Sequence, residues 1–233
     1  MMRRIAVGLG LAALLGVQRG VAQAAPVPVV VELFTSQACS DCPPADRLLR
    51  REQASQPGLI ALDLHVTYWN SPAWRDRFAS RAATARQQFY VDHGLTHELY
   101  TPEAVVDGRV GMVGSDRTRL NAAIAAARAK PGPMVPVALS RHGGAAMVRV
   151  GAGQAPAGTR VIAFTLDPIA HTKVGGGENA GADLTEINVV RAIDQLGGWT
   201  GAPLSEKLQI APGRHLAVIV QAPDGSIIGA AMD

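Results

Sequence analysis

Both cysteines of the chain stand in one short motif, Cys39-Ser40-Asp41-Cys42. Two sulfurs three residues apart can close on each other as a disulfide or hold a soft metal ion together. What they do depends on what carries them. Val27 to Phe34 (VPVVVELF) is an apolar, β-branched run that predicts a buried strand. Pro43-Pro44 opens a helix with Ala45, Leu48 and Leu49 on one face and Arg47, Arg50 and Arg51 on the other. The motif therefore sits at a strand-to-helix turn. A helix N-terminus offers free N–H groups and the positive end of the helix dipole. A thiolate there is stabilised, and it reacts faster near neutral pH.

Three chemistries stay open for the pair. The first is a redox-active dithiol/disulfide, which the strand–turn–helix setting favours. The second is a structural disulfide, although so short a loop constrains the unfolded chain little. The third is a metal site. Cys39 and Cys42 suit copper(I), and with no second cysteine pair a further ligand would have to be a histidine such as His65.

Leu59 to Thr67 predicts a second strand, and Ser80 to His93 a helix stopped by Gly94. Glu103 to Asp107 and Arg109 to Val113 are short strands, with Asp107-Gly108 a hairpin signal between them. Ser115 or Asp116 caps a last helix carrying Leu120, Ile124 and Ala127 on one face. Pro131-Gly132-Pro133 then breaks the chain, and its character changes. Val135 to Ser140, Ala146 to Val150, Arg160 to Asp167, His215 to Gln221 and Ser226 to Met232 read as strands between Gly/Pro turns. Val189 to Leu196 fits helix or strand. The expected organisation is an α/β domain over 25–130 and a small, mostly β, sandwich-like domain over 134–233.

Residues 1–24 have another pattern. Arg3-Arg4 precedes an apolar stretch from Ile5 to Val17, and Ala22-Gln23-Ala24 is a small-x-small cleavage site. This is the form of a secretory signal peptide, and the stretch is short for a membrane span. The expected mature chain is exported to a periplasmic or extracellular compartment, with no stable membrane span after cleavage. Disulfides persist there. The net charge of +3 comes wholly from this leader, because Arg3, Arg4 and Arg19 are its only charged residues. The remainder is balanced and lacks a Lys/Arg run, which argues against nucleic acid as a partner.

The order of elements resembles the thioredoxin fold: strand, Cys-x-x-Cys at a helix start, strand, helix, then Thr101-Pro102 before a hairpin and a final helix. The resemblance implies a cis bond at Pro102, set beside the sulfurs, with Thr101 offering backbone hydrogen bonds to a substrate chain. At closer range Val31 to Asp46 (VELFTSQACSDCPPAD) is similar to the signature of an exported bacterial family catalogued as domain of unknown function 1223. His65 to Asn70 (HVTYWN), Tyr100-Thr101-Pro102, Val105 to Gly108 and Gly177-Glu178-Asn179 resemble it too. The chain departs from that pattern at Ala38, Asp41, Thr67 and Asn70, and the last two remove acids from the loop after the second strand.

The resulting expectation is an exported thiol–disulfide oxidoreductase acting on protein thiols or disulfides, with no cofactor. A copper metallochaperone and a non-catalytic binding module with a structural disulfide are the alternatives. Cys39, at the exposed edge of the turn, is the expected attacking sulfur, and Cys42 the resolving one. Asp41 either raises the pKa of the neighbouring thiol or caps the helix. Glu32 interrupts an apolar strand seven residues before Cys39. It resembles the proton relay beneath the sulfurs of thioredoxins, against the plainer reading of an edge-strand acid facing water. His65 could face the same site or be a satisfied core histidine. Tyr68, Trp69 and Trp74, three of only ten aromatics, could rim a partner site. Gly175 to Asn179 reads as a turn rather than a phosphate loop.

Overall fold

The computed structural model describes residues 28–129 and 134–233. The leader expected over 1–24 and the Pro131-Gly132-Pro133 break lie outside the described residues. The first half runs β1 (Val29–Thr35), α1 (Cys42–Ser55), β2 (Leu59–His65), α2 (Arg81–Asp92), β3 (Glu103–Val106), β4 (Val110–Val113) and α3 (Arg117–Ala129). The second half is all strand: β5 (Val137–His142), β6 (Ala145–Val150), β7 (Arg160–Lys173), β8 (Asp183–Gly198), β9 (Leu204–Gln209), β10 (His215–Gln221) and β11 (Ile227–Met232). The architecture is α/β with a β-rich part.

Every residue of β1 is buried, because the strand is central and both of its faces are covered. It pairs in parallel with β2 and antiparallel with β3. Val31 and Leu33 point to one face, where Ala45, Leu48 and Leu49 of α1 meet Leu120 and Ile124 of α3. Val30 and Phe34 point to the other, against Ala83 and Tyr90 of α2. The helices begin where their caps direct. Ser80 Oγ accepts the Ala83 N–H at 3.0 Å, and Asp116 Oδ1 accepts that of Arg119 at 3.0 Å.

One sheet carries both halves of the chain, in the order β11-β10-β7-β8-β2-β1-β3-β4. Its two parts join where Val189 of β8 pairs in parallel with Asp63 of β2. Asn188 turns there with φ 49°, and its Nδ2 donates to the Ala61 carbonyl at 3.1 Å. A smaller sheet, β5-β6-β9, covers one face of the C-terminal strands, with Val148 and Val150 packed among Val161, Leu216 and Val218.

The structure decides one open sequence expectation and departs from others. Val189 to Leu196 is strand, because β7 and β2 pair with β8 on its two sides. β7 continues past Asp167 to Lys173, and β8 starts six residues before Val189, making one long hairpin. β9 went unforeseen, since LSEKLQ is largely polar and exposed and owes its form to its pairing with β6.

Candidate functional site

Beyond Thr35 the chain makes two successive tight turns, with the Cys39 N–H bonded to the Ser36 carbonyl and the Cys42 N–H to that of Cys39, each at 3.2 Å. α1 then starts at Cys42, and Pro43 and Pro44 fall where a helix needs no N–H donors. Cys39 and Cys42 form a disulfide across this turn, with Cα atoms 5.4 Å apart. Asp41 takes the N-cap position, and its side chain makes no capping hydrogen bond.

The expectation of an exposed Cys39 requires correction. Cys39 is 1% exposed and Cys42 is wholly buried, while Ser40 and Asp41 between them face solvent. Two segments account for this. The first is Thr101-Pro102, whose peptide bond is cis and whose Thr101 carbonyl oxygen lies 3.9 Å from Cys39 Sγ. Trp69 Nε1 donates to Thr101 Oγ1 at 2.6 Å, and Gln87 Nε2 donates to the Tyr100 carbonyl at 2.7 Å. The second is the turn from Val174 to Ala182, between β7 and β8. Asn179 Nδ2 donates to the carbonyls of Gln37 and Cys39, at 3.0 and 2.7 Å. Glu178 Oε2 accepts the Ser40 N–H at 3.1 Å.

The three aromatics expected to rim a partner site divide. Trp69 is half-buried as a prop for Thr101. Trp74 packs against Gly175 to Gly177. Tyr68 is 42% exposed, and its hydroxyl donates to Gln87 Oε1.

Glu32 is not at an edge and does not meet water. It is fully buried in the central strand. It points to the α2 face along with Val30 and Phe34, while α1 and Cys42 pack on the opposite face. Arg86 holds both of its carboxylate oxygens, through Nε and through Nη2, the latter at 2.8 Å, and the Tyr90 hydroxyl donates to it at 2.5 Å. The structure thus separates Glu32 from the sulfurs by the thickness of the sheet.

His65 is a buried core histidine, hydrogen-bonded through one ring nitrogen, Nδ1, while Nε2 has no hydrogen-bond partner. Nδ1 lies 2.6 Å from Asp76 Oδ2, and Nε2 is 3.6 Å from Asp63 Oδ2 and 4.0 Å from Glu186 Oε1. Its ring nitrogens thus face carboxylates rather than the sulfurs. Among the described residues no group of three or more His, Cys, Asp or Glu could hold a metal ion.

A buried polar network lies on the α1 face and touches the cysteine loop. Asp46 follows Cys42 by one helical turn on the buried side of α1, and Thr35 Oγ1 donates to it at 2.8 Å. Gln37, two residues before Cys39, donates its backbone N–H to Asp76 and its side-chain amide to Thr172 and Glu186. Burial pushes Asp46 and Asp63 above the ordinary carboxylate range and Glu186 up to about 7. For His65, burial works against the charge, and the Asp63 and Asp76 carboxylates more than reverse it, so its pKa stands well above the usual imidazole range. Burial likewise opposes ionisation of Asp76. The His65 charge, with hydrogen bonds from His65, Gln37 and Phe78, outweighs it and holds Asp76 below its ordinary value. Sequence spacing offered a signal for Asp46, four residues after Cys42, and for Asp63, two before His65 on the same strand face. It offered none for Glu186, which reaches the site through the unforeseen start of β8.

A model of the family described as "Protein of unknown function (DUF1223)" matches residues 30–221. The crystal structure of protein AGR_C_4864 from Agrobacterium tumefaciens is 31% identical, with a TM-score of 0.77 over 91% of this chain and 95% of that one. HBP35 of Porphyromonas gingivalis shares the fold at 15% identity, with a TM-score of 0.61 over 89% of this chain and 75% of that one. A search of curated proteins finds no match.

Proposed function

The chain belongs to the family of unknown function DUF1223, and we propose that its Cys39–Cys42 pair performs thiol–disulfide exchange with protein partners outside the cytoplasm. One observation carries the reading: the disulfide spans the N-terminus of α1, with the Thr101 carbonyl beside Cys39 Sγ. That is the arrangement expected of a thioredoxin-like oxidoreductase. The helix N-terminus stabilises a departing thiolate, and in this reading the Thr101 backbone, beside Cys39 Sγ, binds an incoming chain. A partner thiolate attacks Cys39 Sγ, forming a mixed disulfide and releasing Cys42 as the thiolate. Cys42 is the resolving sulfur when the exchange runs the other way. The disulfide and the signal-peptide pattern of residues 1–24 support export.

The test is the reduction potential of the pair, obtained by equilibration in graded thiol buffers, alkylation and mass measurement. A value near about −120 mV marks a disulfide donor and one near about −270 mV a reductant. Cys42→Ala should accumulate a mixed disulfide through Cys39, and Cys39→Ser should not. Mixed disulfides on Cys39→Ser would reverse the assigned roles. A second reading, a non-catalytic module with a structural disulfide, is favoured by the burial of both sulfurs. A pair that does not exchange in any thiol buffer would establish it in place of the first.

A further inference from the structure

The turn from Val174 to Ala182 comes from the β-rich half of the chain, yet it is seated on the cysteine loop. Its contacts there are to main chain. Asn179 Nδ2 serves the Gln37 and Cys39 carbonyls, and Glu178 takes the Ser40 N–H. An amide donor and a carboxylate acceptor present the same complement of groups as a stretch of extended peptide backbone. The turn also fits closely. A Cβ on Gly176 would lie 2.1 Å from the Ala73 carbonyl oxygen, and Gly175 and Gly177 pack against Trp74. The outcome is a sulfur pair bordered by exposed residues and itself closed to solvent.

We propose that Glu178 and Asn179 act as a built-in competitor for the peptide-binding groups around Cys39, and so select extended, cysteine-bearing peptide segments over cysteines on folded surfaces. This rests on the exchange reading above. An extended segment can take over the Gln37 and Cys39 carbonyls and the Ser40 N–H as the turn lifts, so the hydrogen bonds lost are remade. A folded surface cannot enter the slot and leaves those groups unpaired. In the exchange itself, a peptide thiolate attacks Cys39 Sγ. The Cys39–Cys42 bond breaks, and Cys42 leaves as a thiolate that takes a proton from water. A second thiolate of the peptide then displaces Cys39, which also leaves as a thiolate and takes a proton from water, matching the two protons that the peptide thiols gave up. The peptide is oxidised by two electrons to its disulfide, and the pair is reduced to two thiols.

The experiment compares reduction of the pair in the purified protein by dithiothreitol, by an unstructured peptide carrying two cysteines, and by a folded protein carrying two neighbouring surface cysteines. The wild type should react with the peptide at least tenfold faster than with the folded protein. Asn179→Ala should raise the rate with the folded protein about tenfold or more and narrow that preference. Gly176→Ala lifts the turn while keeping Glu178 and Asn179, and should act in the same direction. A near-ultraviolet circular dichroism spectrum and melting temperature for each variant show that it is folded. If the wild type reacts equally with both thiols, or if neither variant changes the ratio, the competitor role is refuted while the exchange reading stands. If no thiol, dithiothreitol included, reduces the wild type or the variants, both fall.

Discussion

Asp76 ties the buried imidazole of His65 to the cysteine loop. One oxygen, Oδ2, lies 2.6 Å from His65 Nδ1 and also accepts the backbone N–H of Gln37 at 2.9 Å. The other oxygen accepts the Phe78 N–H at 2.9 Å. Asp76→Asn keeps the shape and removes the charge that offsets the imidazolium. The expected loss of stability is about 3–5 kcal/mol, the range for breaking a buried pair from one side. Urea unfolding would measure it. A loss below about 1 kcal/mol would mean that His65 is neutral in the folded chain.

That network, with Glu103 and Asp107 elsewhere in the fold, sets an unusual pH dependence. Burial raises Asp46 and Asp63, and lifts Glu186 and Glu103 to about 7 and Asp107 to about 6. His65 is raised by its carboxylate neighbours against burial. For each of these groups the folded chain binds a proton more tightly than the unfolded one. Their stabilisation is complete below the unfolded pKa and is lost as pH rises through the folded one. Asp76 is lowered, so its contribution is present above its unfolded pKa and vanishes only in more acidic solution. From about pH 5 to pH 8 the terms that change all fall, and the melting temperature should drop by on the order of 5 °C or more. Glu186→Gln should flatten part of that slope. A melting temperature that holds steady or climbs toward pH 8 would contradict the assignment.

The sequence disclosed the α/β half because its signals are local. The β-branched run into Phe34, the Pro43-Pro44 helix start and the Asp107-Gly108 turn each specify their own element. It disclosed less of the site. Glu32 stood out as an acid in an apolar strand, but the face it occupies depends on which residues of α2 lie opposite. Arg86, which neutralises it, lies 54 positions away. Cys39 looked exposed because nothing near it in sequence covers it. Asn179, 140 positions on, does. Such contacts are fixed by the β7–β8 hairpin and its pairing with β2, which periodicity within a segment does not reveal.

The Glu32–Arg86 pair yields a prediction that separates folding from chemistry. Arg86→Met strands a buried carboxylate and should cost about 3–5 kcal/mol. Adding Glu32→Leu removes the charge as well and should recover most of that loss, because apolar replacement of a whole buried pair is often neutral. Urea unfolding of the single and double variants measures both effects. The pair lies on the α2 face, away from Cys42, so Glu32→Gln should leave the rate and pH profile of reduction by dithiothreitol within about twofold of wild type. A slower, pH-shifted reaction in that variant would restore Glu32 as a proton relay.

Gly108 tests how the two halves of the chain are held together. It has φ +63°, in the left-handed region, at the tip of the β3–β4 hairpin. A Cβ built there would lie 1.9 Å from the Gly225 carbonyl oxygen, in the turn between β10 and β11. Beside it the Asp107 carbonyl accepts the Ile227 N–H at 2.9 Å, and Asp107 Oδ1 accepts the Val30 N–H at 2.7 Å. Alanine at 108 therefore meets two obstacles, an unfavourable backbone region and a backbone atom that cannot rotate away. Relief requires the hairpin tip and the Gly225 turn to move apart, which breaks the Asp107–Ile227 hydrogen bond. Gly108→Ala should destabilise the chain by about 3 kcal/mol or more. It should also speed hydrogen exchange at Ile227 and Val30 well beyond the average for the sheet. Gly94→Ala is the control. Its φ is +71°, but a Cβ there has nothing within 4 Å, so only the backbone cost of about 1–2 kcal/mol should appear. Equal losses in the two variants would show that the close approach at Gly225 relaxes without cost.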